Sequence, residues 1–173
     1  RSTPKPSSAA SDVYKRQIMT TDTRPKVAYE EVIIGDELIK ICGIAKGSGM
    51  VAPNLATMLS FIFTNADINS NLLKTLLKRS ISNSFNAISV DSDQSTNDMV
   101  TIFSTRTLKL GNLSLTDKTI QKFELALKKL CLNLAKQIVV DGEGAKKFLT
   151  VNVINCLLYT SPSQRDRQKS RMP

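Results

Sequence analysis

Between residues 27 and 44 the chain is dominated by β-branched and other apolar positions. Two such runs, Val27–Ile34 and Leu38–Ile44, flank Gly35-Asp36-Glu37, a pattern that predicts a β-hairpin. A short extended piece, Ile18 to Asp22, precedes it. Gly47, Gly49 and Pro53 then break the pattern into a loop, and the apolar run Ala56–Thr64 reads as a mostly buried strand. The period changes after Asn69-Ser70, which can cap a helix: Leu72, Leu73, Leu76, Leu77, Ile81 and Phe85 share one helical face. Asp91–Asn97 is a polar loop and Met99–Ser104 a strand by composition. Thr116-Asp117 opens a second helix with Ile120, Phe123, Leu127, Leu130 and Leu134 at steps of three and four. Lys128, Lys129 and Lys136 fall toward its expected end, where cations suit the helix dipole. Ile138–Val140 and Phe148–Val153 read as strands around an Asp-Gly-Glu-Gly turn. Strands with two amphipathic helices of about 18–20 residues imply an α/β fold, helices layered on a mixed sheet.

Composition narrows the chemistry. Of 173 residues, 41% are hydrophobic and 23% charged, enough for one globular core. No apolar run is long enough to span a bilayer, so no membrane partner is expected. The net charge of +9 suggests nucleic acid until it is located. Residues 1–17 and 156–173 each contribute +3, and 18–155, with 16 basic and 13 acidic groups, only +3. With no Trp and few aromatics there is no stacking platform, so no nucleic-acid partner is expected. Histidine is absent, which excludes a Ser-His-Asp triad, a Cys-His pair and a His-bound metal. Cys42, Cys131 and Cys156 are odd in number and far apart. They suit small buried positions in a reducing compartment, not a disulfide framework.

The two ends are expected to lie outside the fold. Ser7-Ser-Ala-Ala-Ser-Asp-Val-Tyr-Lys-Arg-Gln17 and Cys156-Leu-Leu-Tyr-Thr-Ser-Pro-Ser-Gln-Arg-Asp166 resemble translations of sequencing-adaptor DNA. On this reading 1–17 and 156–173 are non-native or disordered tails, and 18–155 is an internal piece of a longer gene, truncated at both ends.

Thr57 sits where a Gly- and Pro-rich loop becomes an apolar strand. A threonine hydroxyl needs a base to act as a nucleophile. Without histidine the base is a lysine or the threonine's own α-amine, which exists only once the Ala56–Thr57 bond is cut. An α-amine titrates near pH 8, about right for proton transfer at neutral pH. A plain strand threonine would look the same.

Six stretches, in order, resemble motifs of the glutamate N-acetyltransferase/ornithine acetyltransferase family. They are Ile18-Met-Thr-Thr-Asp-Thr23, Ala45-Lys-Gly-Ser-Gly-Met50, Ala52-Pro-Asn-Leu-Ala-Thr-Met-Leu59, Ser84-Phe-Asn-Ala-Ile-Ser-Val-Asp91, Ser95-Thr-Asn-Asp-Met99 and Asp141-Gly-Glu-Gly-Ala145. The resemblance covers essentially 18–155. It implies an N-terminal-nucleophile-like acetyltransferase fold and autoproteolysis between Ala56 and Thr57, ending an α chain and starting a β chain. Thr57 would then carry acetyl from N-acetylornithine to glutamate, yielding ornithine and N-acetylglutamate for arginine biosynthesis. No cofactor is implied; bifunctional members also accept acetyl-CoA as co-substrate. The assembled enzyme would be a heterotetramer of α and β chains, cytoplasmic, or in the mitochondrial matrix if eukaryotic.

The resemblance also assigns substrate contacts. Lys46 matches a lysine that can pair with a substrate carboxylate. Glu143 matches the acid that holds the substrate's amino end, and Thr20 or Thr21 matches a substrate-contacting threonine. No metal is expected: Asp91 and Asp93 lack the calcium-loop glycine and read as loop caps supporting the site. Ser92, Gln94 and Lys146 depart from the family's glycine and threonines, which affects local loop geometry only. The oxyanion-hole threonine and glycine would lie upstream of residue 18 and further contacts downstream of 155. Losing one such donor typically lowers rate by about 100- to 1,000-fold, so the 173-residue chain itself is expected to be inactive. Two alternatives stand beside this reading: a related N-terminal-nucleophile amidase or aminopeptidase, with water as acceptor, and a non-catalytic basic binding protein.

Overall fold

The computed structural model describes residues 18–49, 51, 58–91, 98–110 and 117–152. Among these, strands β1 (Lys26–Ile34), β2 (Glu37–Lys46), β3 (Leu59–Asp67) and β4 (Met99–Lys109) form one sheet in the order β1-β2-β3-β4. β1 pairs antiparallel with β2 and β2 with β3, whereas β3 and β4 run parallel. Helix α1 (Ser70–Ser82) lies between the two parallel strands, as a parallel pair requires a crossover. A short 3₁₀ turn (Phe85–Ala87) follows it, and helix α2 (Lys118–Val140) follows β4. The sheet is mixed and the class is layered α/β, as the hydrophobic pattern predicts.

The hairpin closes where expected. Ile34 pairs with Glu37 across Gly35-Asp36, and Gly35 takes a φ of 63°, which glycine adopts without strain. Strand alternation decides which face is buried. Ala28, Ile39, Ile41, Ala45, Ile62 and Ala66 point to the helices, together with the small polar Ser60 and Thr64. The other face carries Tyr29, Ile33, Phe63 and Phe103, all exposed, with the Phe63 and Phe103 rings stacked at 5.3 Å. Gly43 lets α2 approach β2: a Cβ there would stand 2.9 Å from Leu134 Cδ1 and 3.0 Å from Leu130 Cδ2.

Asn69 caps α1, its side chain accepting the Leu72 N–H at 3.0 Å. Leu73 and Leu76 are buried, while Phe85, expected on the same helix, is buried from the separate 3₁₀ turn. β3 begins at Leu59 and runs on to Asp67; Ala56 and Thr57 lie outside the described residues.

Several expectations are corrected. Ile18–Asp22 is not extended but bends around the buried Asp22. Ile138–Val140 is the last turn of α2, because Ile138 continues the apolar stripe one step past Leu134 and is fully buried. The helix therefore runs 23 residues, and Lys128, Lys129 and Lys136 all precede its last turn. Of the strand expected at Phe148–Val153, the described residues to Asn152 form none, with Leu149 and Val151 about four-fifths exposed, and Val153 lies outside the described residues. Cys42 faces solvent, since it sits on the open face of β2, whereas Cys131 is buried in α2.

Candidate active site

The registers bring four strand ends together at one end of the sheet. Lys26 pairs with Ala45, Lys46 with Leu59, and Leu59 with Met99. The start of β1, the end of β2, and the starts of β3 and β4 are therefore neighbours. A cleft of about 340 Å³ opens there, lined by Thr20, Thr21, Lys46, Gly47, Ser48, Gly49, Asp91 and Glu143. Thus Thr20, Thr21, Lys46 and Glu143, up to 123 positions apart in sequence, share one cavity wall.

Each wall element has a local cause. The glycine loop after β2 folds back because the Ser48 carbonyl accepts the Glu143 N–H at 2.6 Å. Gly47 adopts a φ of 144°, a region that side chains disfavour. Gly49 leaves room for a carboxylate: a Cβ there would meet Glu143 Oε2 at 2.9 Å and Asp91 Oδ2 at 3.7 Å. The Thr21 hydroxyl bonds the buried Ser48 hydroxyl at 2.6 Å, which ties the wall segments together. Asp91 accepts the Val51 N–H at 3.0 Å and so braces the loop. Asp93 lies outside the described residues, and no cluster of three or more metal-ligating side chains occurs among those described.

Beneath the cleft lies a buried ion cluster that the sequence reading did not single out. The Lys26 ammonium, 1% exposed, donates to Asp22 Oδ1 and, at 2.6 Å, to Asp141 Oδ2. Asp22 also accepts the Gly47 N–H at 2.7 Å and the Thr20 N–H at 3.3 Å. Asp141 accepts both the hydroxyl and the N–H of Thr23, the latter at 3.0 Å. Burial pushes both carboxyls up, but the lysine hydrogen bond and charge, with the neighbouring donors, hold each below the ordinary carboxylate value. One ammonium therefore anchors the segments that carry Thr20 and Thr21, Lys46 (through Gly47) and Glu143 (through Asp141). Only the near-continuous Asp22-x₃-Lys26 spacing hinted at it; Asp141 joins through tertiary contact alone.

A layered α/β unit with a loop-built, mixed-charge cleft at one end of the sheet is the class that fold and site define. A family model described as the ArgJ family matches residues 2–164, and the chain belongs to that family. It is 46% identical over 142 residues to the arginine biosynthesis bifunctional protein ArgJ of Brucella suis, covering 80% of this chain and 34% of the relative. The proteins of the same name from Mesorhizobium japonicum (49% over 142 residues, 80% and 34% covered) and Bacillus cereus ATCC 10987 (43% over 141, 82% and 35%) match similarly. The chain thus spans about a third of the length of these relatives. The crystal structure of the PH0078 protein from Pyrococcus horikoshii overlays 68% of this chain and 40% of its own. Its TM-score is 0.45 at 12% identity, too loose to carry an argument. Among the described residues no helix is long and apolar enough to cross a membrane.

Proposed function

We propose that the complete protein transfers acetyl from N-acetylornithine to glutamate, with Thr57 as nucleophile after the Ala56–Thr57 bond is cut. The observation that carries the reading is that Lys46 and Glu143 both line one cleft. An amino-acid substrate bears both charges, and a lining that offers both an ammonium and a carboxylate suits its two ends. Lys46 pairs with the substrate carboxylate and Glu143 with the amino end, with a Thr20 or Thr21 hydroxyl beside them. The Thr57 oxygen attacks the acetyl carbonyl while its freed α-amine takes the hydroxyl proton. Ornithine departs with a proton, and the amine of glutamate then attacks the acetyl ester and restores Thr57. Acetyl-CoA is a second acetyl source if the protein is bifunctional. The membership of the chain in the ArgJ family and the names of its relatives support a place in arginine biosynthesis.

The test uses the complete reading frame that contains residues 18–155. Intact-mass measurement should find a fragment beginning at Thr57, and N-acetylornithine should release about one equivalent of ornithine per Thr57 by itself and turn over continuously only when glutamate is supplied. Continuous release without glutamate, yielding acetate, would make the protein an amidase; no cut and no release would sink the reading.

A further inference from the structure

Asp98, the residue before β4, makes a contact that the acetyl-transfer scheme does not use. Its Oδ1 accepts the N–H of Met58. The carbonyl of the same Met58 accepts the Met99 N–H at 3.0 Å. Met58 is 2% exposed, so this one residue is held at both of its backbone polar groups just before the Leu59–Met99 pair opens the parallel ladder. The second oxygen, Asp98 Oδ2, is enclosed without a hydrogen-bond partner. Burial pushes the Asp98 carboxyl up, and the single Met58 N–H only partly opposes it.

That is a poor arrangement for stability alone. An enclosed carboxylate oxygen with nothing to bond is penalised, and a smaller acceptor would satisfy one amide at less penalty. What the carboxylate contributes is a fixed position for the Met58 amide. That nitrogen is bonded to the carbonyl carbon of Thr57, through a peptide unit held planar. Whatever fixes it acts one covalent bond from the residue assigned as nucleophile.

We infer that Asp98 is a positioning residue for the Ala56–Thr57 junction: by clamping the Met58 amide against the start of β4 it sets where Thr57 is presented. This rests on the assignment of Thr57 as the cleavage and transfer residue. Misplacing a reacting group by about 1 Å can lower rate by about a hundredfold.

The complete reading frame is made as wild type, Asp98→Ala, Asp98→Asn and Asp98→Glu. Cleavage is followed by intact mass below the melting transition of each, and the cleaved forms are assayed for acetyl transfer. Asp98→Ala should slow cleavage by about tenfold or more and lower kcat with KM within about twofold of wild type. Asp98→Asn keeps the acceptor oxygen and should stay within about threefold in both rates. Cleavage and kcat of Asp98→Ala within about twofold of wild type overturn the inference. If Asp98→Ala does not fold, Asp98→Glu carries the test. It keeps the charge but moves the oxygen out by one methylene, and wild-type cleavage in that variant overturns the inference equally. A wild-type protein that does not cut at Ala56–Thr57 removes the nucleophile assignment and this inference together, whereas cutting with indifferent variants removes the role of Asp98 alone.

Discussion

Replacing Lys26 by Met tests the ion cluster most directly. The apolar side chain fills much of the lysine volume but leaves Asp22 and Asp141 facing each other with side-chain exposures of 0% and 2%. Breaking a buried pair by deleting one partner typically destabilises by about 3–5 kcal/mol. The remaining partners limit the damage: Gly47 and Thr20 still serve Asp22, Thr23 still serves Asp141, and the exposed Arg24 guanidinium stands 3.7 Å from Asp141 Oδ1. Protonation sets a further limit, because neutralising a carboxyl of ordinary pKa at neutral pH requires about 4 kcal/mol. The expected loss near pH 7.5 is therefore about 3–4 kcal/mol. The pH dependence is diagnostic. In the wild type both folded carboxyl pKa values lie below the ordinary carboxylate value. The unfolded chain then binds more protons in that range, so their contribution is fully present above the unfolded pKa and fades as pH falls through the folded one. In Lys26→Met the stranded pair should hold a proton, its pKa raised, so the loss relative to wild type shrinks as pH falls toward 5. Each unit should recover up to about 1.4 kcal/mol while that proton is taken up. Urea denaturation of both proteins at about pH 7.5 and pH 5 measures it. A loss below about 1 kcal/mol, or one that does not change with pH, would refute the reasoning.

Gly43→Ala should destabilise by about 1–2 kcal/mol, seen as a lower urea midpoint, since its Cβ would press on Leu134 and Leu130. In the complete protein, Gly49→Ala should displace the Glu143 carboxylate and, on the acetyl transfer proposed above, raise KM for the proposed amino-acid substrate by about tenfold, with the melting temperature little changed. Asn69→Ala should remove the α1 cap and lower stability by about 1 kcal/mol in the same denaturation assay. A thiol reagent should label Cys42 in the folded protein but reach Cys131, whose thiol is pushed up to about 12 by burial, only on unfolding.

Local chemistry made much of the fold legible. The hairpin about Gly35 and the Asn69 cap depend on residues adjacent in sequence. The errors came where local preference and tertiary packing disagree. Ile138-Val-Val140 has strand-like composition, yet the stripe from Ile120 to Ile138 binds it to α2. Phe148–Asn152 has the composition of a strand, yet pairs with no strand among the described residues. Lys46 and Glu143 were singled out by motifs with flanking glycines, and both line the cleft. The Lys26 cluster was not, because Asp22 and Asp141 are ordinary acids until folding brings them onto one ammonium. The same holds for Asp98, whose partner is a backbone amide 40 positions away.

The pairing of β2 with β3 has a consequence for the cut proposed at Ala56–Thr57. The proposed break lies between these two strands, yet their ladder, from Ile41–Thr64 to Lys46–Leu59, joins the pieces on either side. The Lys26–Asp141 contact spans the same break. A chain severed at Ala56–Thr57 therefore remains one sheet, held by association instead of by a bond. Once unfolded it no longer refolds as a single strand of polymer: its halves must find each other, so recovery slows on dilution, while the uncut precursor refolds at a rate that dilution leaves alone.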